Sequence, residues 1–306
     1  MKVPNFILAG SPKCGSTSLY YYLAEHPDIF MPQQKEIHYL TFDILNSLDQ
    51  GPKDKVVNSF HISNFKDYKN QFTKARNNQV IGEVSPSYIN YPSQTIPKVK
   101  HHLGNPKLIF LIRDPIQRAF SNYLHLVREE RENLSFYEAL QAEQKRMENK
   151  YSDFWYYSFN SFYYEKIKAY DEAFDDILII TTEELKNNTL QTLSKIFKFI
   201  GVKDFEPSNL DKNYNAGGVY ESNFITQFFF RQSALRSFIK RIIPITKAMK
   251  HFKQSLINKY RKEPPAITQE TEKYLVNKFK EDVSKLQKEY DLDLEYWNKS
   301  LTNDDE

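Results

Sequence analysis

The chain has 306 residues, with 42 Lys and Arg against 39 Asp and Glu, and a single cysteine. One cysteine excludes an intrachain disulfide framework, and no stretch reaches the ~18 apolar residues of a membrane span. Length and a 40% hydrophobic content, without internal repeats or a long Gly/Ser linker, fit one soluble α/β enzyme domain over 1–306. Met1 lies two residues before the first expected strand, which leaves no room for a signal peptide and implies a cytosolic protein.

Apolar strands are expected at 3–9, 35–40, 79–84, 107–112 and 176–181, alternating with helix-periodic segments. That order implies an α/β, P-loop-like three-layer fold, a central parallel sheet with helices on both faces. The pairing order of the strands cannot be read from it.

The first strand runs into FILAGSPKCGSTSL at 6–19. A strand, a turn with Gly10, Lys13 and Gly15, then Ser16, Thr17 and Ser18 opening a helix, form an anion cradle of backbone N–H groups at a helix N-terminus. The glycines allow close backbone approach and Lys13 adds a point charge. A nucleotide-triphosphate loop places its lysine directly after the second glycine. Here the lysine precedes it by two, which weakens a kinase reading. The alternative is a helix start that is merely Gly- and Ser-rich. Cys14 lies inside the loop, where the helix dipole and Lys13 would lower its pKa if it were reactive. A small loop filler is the plainer role.

On a strand over 35–40, Glu36 and His38 share a face, because side chains alternate with period two, and make an acid–base pair. Otherwise Glu36 pairs with Lys35 or a nearby Arg and only holds the loop, and His38 is a packing or hydrogen-bonding residue. The next strand ends in GEVSPSY, which sets Glu83, Ser85 and Tyr88 along the strands' C-terminal rim, as acceptor contacts or in a structural role. The run Leu108 to Ile112 reads as a buried central strand with Arg113 at its tip and Ser121 on the following helix. Arg113 can grip a phosphate with two donors and Ser121 can complete the grip, unless Arg113 pairs with Asp114 or a neighbouring loop.

Further on, Arg231 to Lys262 carries ten Lys and Arg and no Asp or Glu. With Phe228 to Phe230 before it, this basic, aromatic segment (228–262) suits an anionic membrane surface or an anionic acceptor, or is a solvated helical face. Nucleic acid has no supporting motif.

The SPKCGSTSL loop followed by LIRDPIQRAFSNY, roughly a hundred residues later, resembles the two cofactor motifs of sulfotransferases that use 3′-phosphoadenosine 5′-phosphosulfate (PAPS). The resemblance is to the heparan-sulfate-type and bacterial branch. HPDIF, KEIHYL, GEVSPSY, the 162–185 stretch and the closing DLDLEYW extend it over most of the chain. It implies that Lys13, Cys14, Gly15, Ser16, Thr17 and Ser18 bind the 5′-phosphosulfate, and that Arg113 and Ser121 bind the 3′-phosphate. It implies Glu36 as general base, assisted by His38, and Lys13 beside the oxygen that leaves with phosphorus. In-line displacement at sulfur without a metal is expected, giving 3′-phosphoadenosine 5′-phosphate (PAP). The family also closes the cofactor site with a Gly-containing loop, matched loosely here by Gly217, Gly218 and Tyr220. Heparan-type enzymes commonly carry a Lys where this chain has Val84, which counts against a heparan-like acceptor, while the basic 228–262 segment favours a carbohydrate or amphiphilic small molecule. The alternatives are a non-catalytic nucleotide-binding or membrane-surface protein and, more distantly, an atypical P-loop kinase.

Overall fold

The computed structural model describes residues 2–208, 210, 219–220, 261–262 and 265–302. Gly217, Gly218 and nearly all of the 228–262 segment lie outside the described residues. Of the Tyr220 loop only the strand position of β6 is described.

Five parallel strands form the sheet: β1 (Phe6–Gly10), β2 (Ile29–Phe30), β3 (Val80–Val84), β4 (Lys107–Ile112) and β5 (Ile177–Thr181). Their order is β2-β3-β1-β4-β5, so the first strand is the central one. Between them run α1 (Ser16–Glu25), the short α2 (Phe42–Ser47), α3 (Asp54–Asn58) and α4 (Phe65–Asn70), then α5 (Pro92–Leu103) and α6 (Pro115–Arg128). The chain continues through α7 (Phe136–Gln141), α8 (Glu143–Glu148), α9 (Tyr164–Asp171), α10 (Thr182–Asn187) and α11 (Thr189–Ile200). A two-stranded ladder, β6 (Val219–Tyr220) with β7 (Arg261–Lys262), packs against α6, and α12 (Gln269–Tyr290) and α13 (Lys299–Thr302) follow.

The period-two rule explains the layers. Ile7, Ala9, Leu108, Phe110 and Ile112 point into one core with residues of α5, α6, α9 and α12. Phe6, Leu8, Ile109 and Leu111 point into the other, with residues of α1 and α11. Both faces of the sheet are covered, which is why β1 and β4 read as unbroken apolar runs.

The segment 35–40 is not a strand. Glu36 (φ 60°) and His38 (φ 54°) are left-handed, which a pleated strand does not allow, and Tyr39–Thr41 is a 3₁₀ turn. Beside β3 the sheet position belongs to β2, with Ile29 opposite Val80 and Phe30 opposite Ile81. The loop keeps one backbone tie to the sheet, from Glu36 N–H to the Val84 carbonyl at 2.9 Å. Its apolar alternation has another cause: Ile37 drops into a small separate core with Tyr68, Phe72 and Ile81.

Two points of register position the site. Gly10 stands opposite Phe110, and Ser11 N–H bonds the Leu111 carbonyl at 2.7 Å, so the loop after β1 emerges beside Arg113. Gly10 is also required sterically, since a Cβ there would lie 2.4 Å from Ile89 Cγ2.

Candidate functional site

The loop after β1 is built around two left-handed residues, Lys13 (φ 71°) and Gly15 (φ 98°). Gly15 is the N-cap of α1, and no side chain caps that helix. The first-turn amides of Ser16 and Thr17 therefore lack an intrahelical acceptor and are available to an anion. The loop is clamped from behind. The single hydroxyl proton of Thr182 Oγ1 is shared between the Cys14 carbonyl at 2.6 Å and the Ile112 carbonyl at 2.9 Å. The fully buried Arg118 reaches the Pro12 carbonyl at 3.4 Å and anchors itself on Ser161 Oγ and the Tyr157 carbonyl. Cys14 is turned away from the cradle into the α1/α11 core, and burial pushes its thiol up to about 11. The structure gives it the filler role and does not lower its pKa.

Lys13, Gly15, Ser16, Thr17 and Ser18 share one cleft of roughly 810 Å³ with Glu36, His38, Arg113 and Ser121. Arg113 follows β4, and Ser121 lies on the α6 face that carries Gln117, Leu124, His125 and Arg128 along the same cleft. Asp114, the expected competitor for Arg113, instead caps α6 by accepting Gln117 N–H at 2.9 Å and also accepts Asn298 N–H at 2.8 Å.

The cleft holds positive charge whose hydrogen-bonding capacity protein groups leave partly unused. Arg113 Nε is buried without a hydrogen-bond partner among the described residues, and the nearest carboxylate oxygen, of Glu183, is 3.9 Å away. Burial, reinforced by the neighbouring Arg128 guanidinium against the opposing pull of Glu36, lowers the Lys13 pKa to about 8. An orphaned guanidinium nitrogen and a destabilised ammonium beside free helix amides fit a ligand with two separated anionic groups. Among the described residues, no group of three or more His, Cys, Asp or Glu is placed to hold a metal ion.

Glu83, Ser85 and Tyr88 do not reach the cleft; they lie beneath it. Glu83 is fully buried and accepts from Tyr68 Oη at 2.5 Å, Ser85 Oγ at 2.7 Å and Tyr88 Oη at 2.6 Å. Two of those hydroxyls in turn accept from the loop above: His38 N–H reaches Ser85 Oγ at 3.0 Å, and Leu40 N–H reaches Tyr88 Oη at 3.3 Å. Ser87 completes the support, 2.6 Å from His38 Nδ1 and 2.8 Å from Thr41 Oγ1. The GEVSPSY segment is thus the foundation of the Glu36–His38 loop, and burial pushes the Glu83 carboxyl up.

Glu36 and His38 both open onto the cleft, although by left-handed turns rather than by strand alternation. Burial lowers the His38 pKa to about 3, so the imidazole is neutral near pH 7, and its ring lies 4.6 Å from that of His61. Glu36 is 43% exposed and pairs with Lys35 Nζ at 2.5 Å. Burial alone would raise its pKa, but Lys35 outweighs this and holds the carboxyl below the usual range. Sequence reasoning treated Lys35 only as a pairing partner and passed over Thr182, Arg118, His61 and Arg128. Thr182 carries a readable signal, since it follows β5 at the same sheet edge as the other strand tips.

A model of the sulfotransferase family matches residues 4–207. The chain belongs to the sulfotransferase family. It is 38% identical over 121 residues to the membrane-associated sulfotransferase kil1 of Dictyostelium discoideum, covering 40% of this chain and 22% of that protein. It is 25% identical over 251 residues to human carbohydrate sulfotransferase 15, covering 65% and 44% of the two chains. Over 214 residues it is 27% identical to human bifunctional heparan sulfate N-deacetylase/N-sulfotransferase 3, covering 66% and 22%. The chain therefore spans 22% to 44% of the length of these curated relatives. A crystal structure of a sulfotransferase from Alicyclobacillus acidocaldarius superposes with a TM-score of 0.74 at 27% identity, covering 97% of this chain and 99% of that one. The family's P-loop-like α/β architecture is the one observed. The cytosolic expectation is overturned, because the Dictyostelium relative is membrane-associated by name. Among the described residues no helix is long and apolar enough to cross a membrane.

Proposed function

We propose that this chain transfers a sulfuryl group from PAPS to a hydroxyl or amine of an acceptor by in-line displacement. The observation that carries the reading is the buried Arg113 Nε, which makes no hydrogen bond among the described residues and shares one cleft with the destabilised Lys13 ammonium. When bound, PAPS supplies an activated sulfonate and a phosphate leaving group. Arg113 and Ser121 hold the 3′-phosphate, with the guanidinium's paired donors matched to a phosphate edge. The amides and hydroxyls of Ser16 and Thr17, with Gly15, Ser18 and Lys13, hold the 5′ end. Lys13 offers its charge to the departing phosphate oxygen. Glu36 takes the proton that the acceptor hydroxyl or amine gives up. His38, neutral and tied to Ser87, keeps the Glu36 loop in register with the cradle.

Two relatives named for carbohydrate and heparan sulfate chemistry support a carbohydrate acceptor, with an amphiphilic small molecule as the second choice. Val84 is buried, so the position of the heparan-type lysine offers no basic contact to a polyanion.

Calorimetric titration with PAP tests the reading. Binding is expected without metal and to weaken about ten- to a hundredfold in Arg113→Ala, the worth of a charge-assisted contact. In Glu36→Gln, PAP still binds while turnover falls about 10²–10⁴-fold. No PAP binding, or a preference for Mg-ATP, sinks the proposal.

A further inference from the structure

Among the described residues, Lys35 is the one basic side chain that hydrogen-bonds to both halves of the site. Its ammonium donates to Thr17 Oγ1 at 2.9 Å, to Ser16 Oγ at 3.4 Å and to Glu36 Oε1 at 2.5 Å. An ammonium has three N–H donors, so these bonds use all of them. Two of the acceptors are first-turn hydroxyls of the anion cradle and the third is the carboxylate that serves as base. The side chain is only 18% exposed, so little water is present to share its charge.

This arrangement makes cradle and base compete for one cation. A phosphate or phosphosulfate oxygen is a stronger acceptor for an ammonium than a neutral hydroxyl. An anion seated on the α1 amides would meet the Lys35 ammonium already held there by Thr17 and Ser16. Glu36 would then lose its counter-ion, and a carboxylate without one holds a proton more tightly.

We infer that Lys35 couples filling of the cradle to release of the base, its ammonium leaving Glu36 for the bound anion and freeing that carboxylate for the acceptor's proton. The inference rests on the sulfotransferase reading of this cleft. It makes Lys35 a positioning residue that acts through Glu36, and it sets an order in which the sulfuryl donor binds before the base is competent. It also turns the pairing of Glu36 with Lys35, which could be read as a mere loop fastening, into a latch.

A double-mutant cycle on PAP affinity tests it, using wild type, Glu36→Gln, Lys35→Met and the double variant. If Glu36 holds Lys35 back from the anion, Glu36→Gln binds PAP about two- to fivefold more tightly than wild type, the worth of a partly exposed ion pair. In the Lys35→Met background the same change brings no gain. An equal gain in both backgrounds means simple charge repulsion by Glu36 and overturns the inference, as does no gain in either. Lys35→Gln repeats the cycle if Lys35→Met fails to fold. Independently of any Lys35 variant, the Glu36 carboxyl resonance must titrate at higher pH with PAP bound than without, and an unchanged value also overturns it. If wild type binds no PAP, the sulfotransferase reading falls together with the inference. PAP binding without coupling defeats the inference alone.

Discussion

Tyr88 and Glu83 form a buried hinge post: the tyrosine hydroxyl donates to Glu83 Oε1 at 2.6 Å while accepting Leu40 N–H at 3.3 Å. Tyr88→Phe removes one of three hydroxyl donors to a buried carboxylate and leaves Leu40 N–H unpaired. A loss of about 1–3 kcal/mol in urea denaturation is expected. Turnover should suffer more than PAP affinity, because the loop carrying Glu36 loses support while the cradle does not. Equal losses in both would refute the division of labour.

Gly10→Ala should destabilise the fold by about 1–3 kcal/mol or more, since its Cβ would fall inside Ile89. Ile89→Ala alone is also costly, but combined with Gly10→Ala the two should be less than additive in thermal unfolding. Full additivity would show that the contact with Ile89 is not the obstacle.

Lys13 makes a signed prediction about pH. Burial, reinforced by Arg128, lowers its pKa from 10.5 to about 8, so between those values the unfolded chain binds the extra proton. Stability of the free protein therefore rises with pH across that window. A bound anion reverses the situation by favouring the ammonium. PAP binding should take up a proton near pH 8 and weaken above it, by at most about tenfold per pH unit. Calorimetry in two buffers of different ionisation enthalpy measures the uptake, and Lys13→Met should abolish it.

Thr182→Val is nearly isosteric and removes both bonds that pin the Cys14 and Ile112 carbonyls. It should cost about 1–3 kcal/mol of stability and loosen PAP several-fold through the cradle's shape. Wild-type affinity in this variant would mean that the loop holds its form without the clamp.

The residues that were legible in the sequence are those whose role depends on neighbours along the chain. The loop from Gly10 to Ser18 and the Arg113 strand tip are local patterns, and the structure puts them where local patterns predict. The order of strands is not local: only the register of Gly10 with Phe110 brings the two motifs together. The 35–40 segment misled because Ile37 and its neighbours alternate like a strand while serving a side core, and two left-handed residues leave no mark on hydropathy. Glu83, Ser85 and Tyr88 looked like rim residues because the strand end was placed correctly. Their side chains turn inward because Tyr68, from a helix the strand pattern does not reveal, completes the carboxylate's bonding.

The position of β1 at the centre of the sheet has a last consequence. The parts expected to grip the sulfuryl donor stand on β1 and β4, whereas the Glu36 loop hangs from β3 on the opposite flank. The Lys35 ammonium, bonded to Thr17 and Ser16, reaches from that flank across to the cradle. A chimera cut at Phe30 and Val80 would therefore carry Lys35, Glu36 and His38 with it, and would change the cradle's contact and the proposed base together.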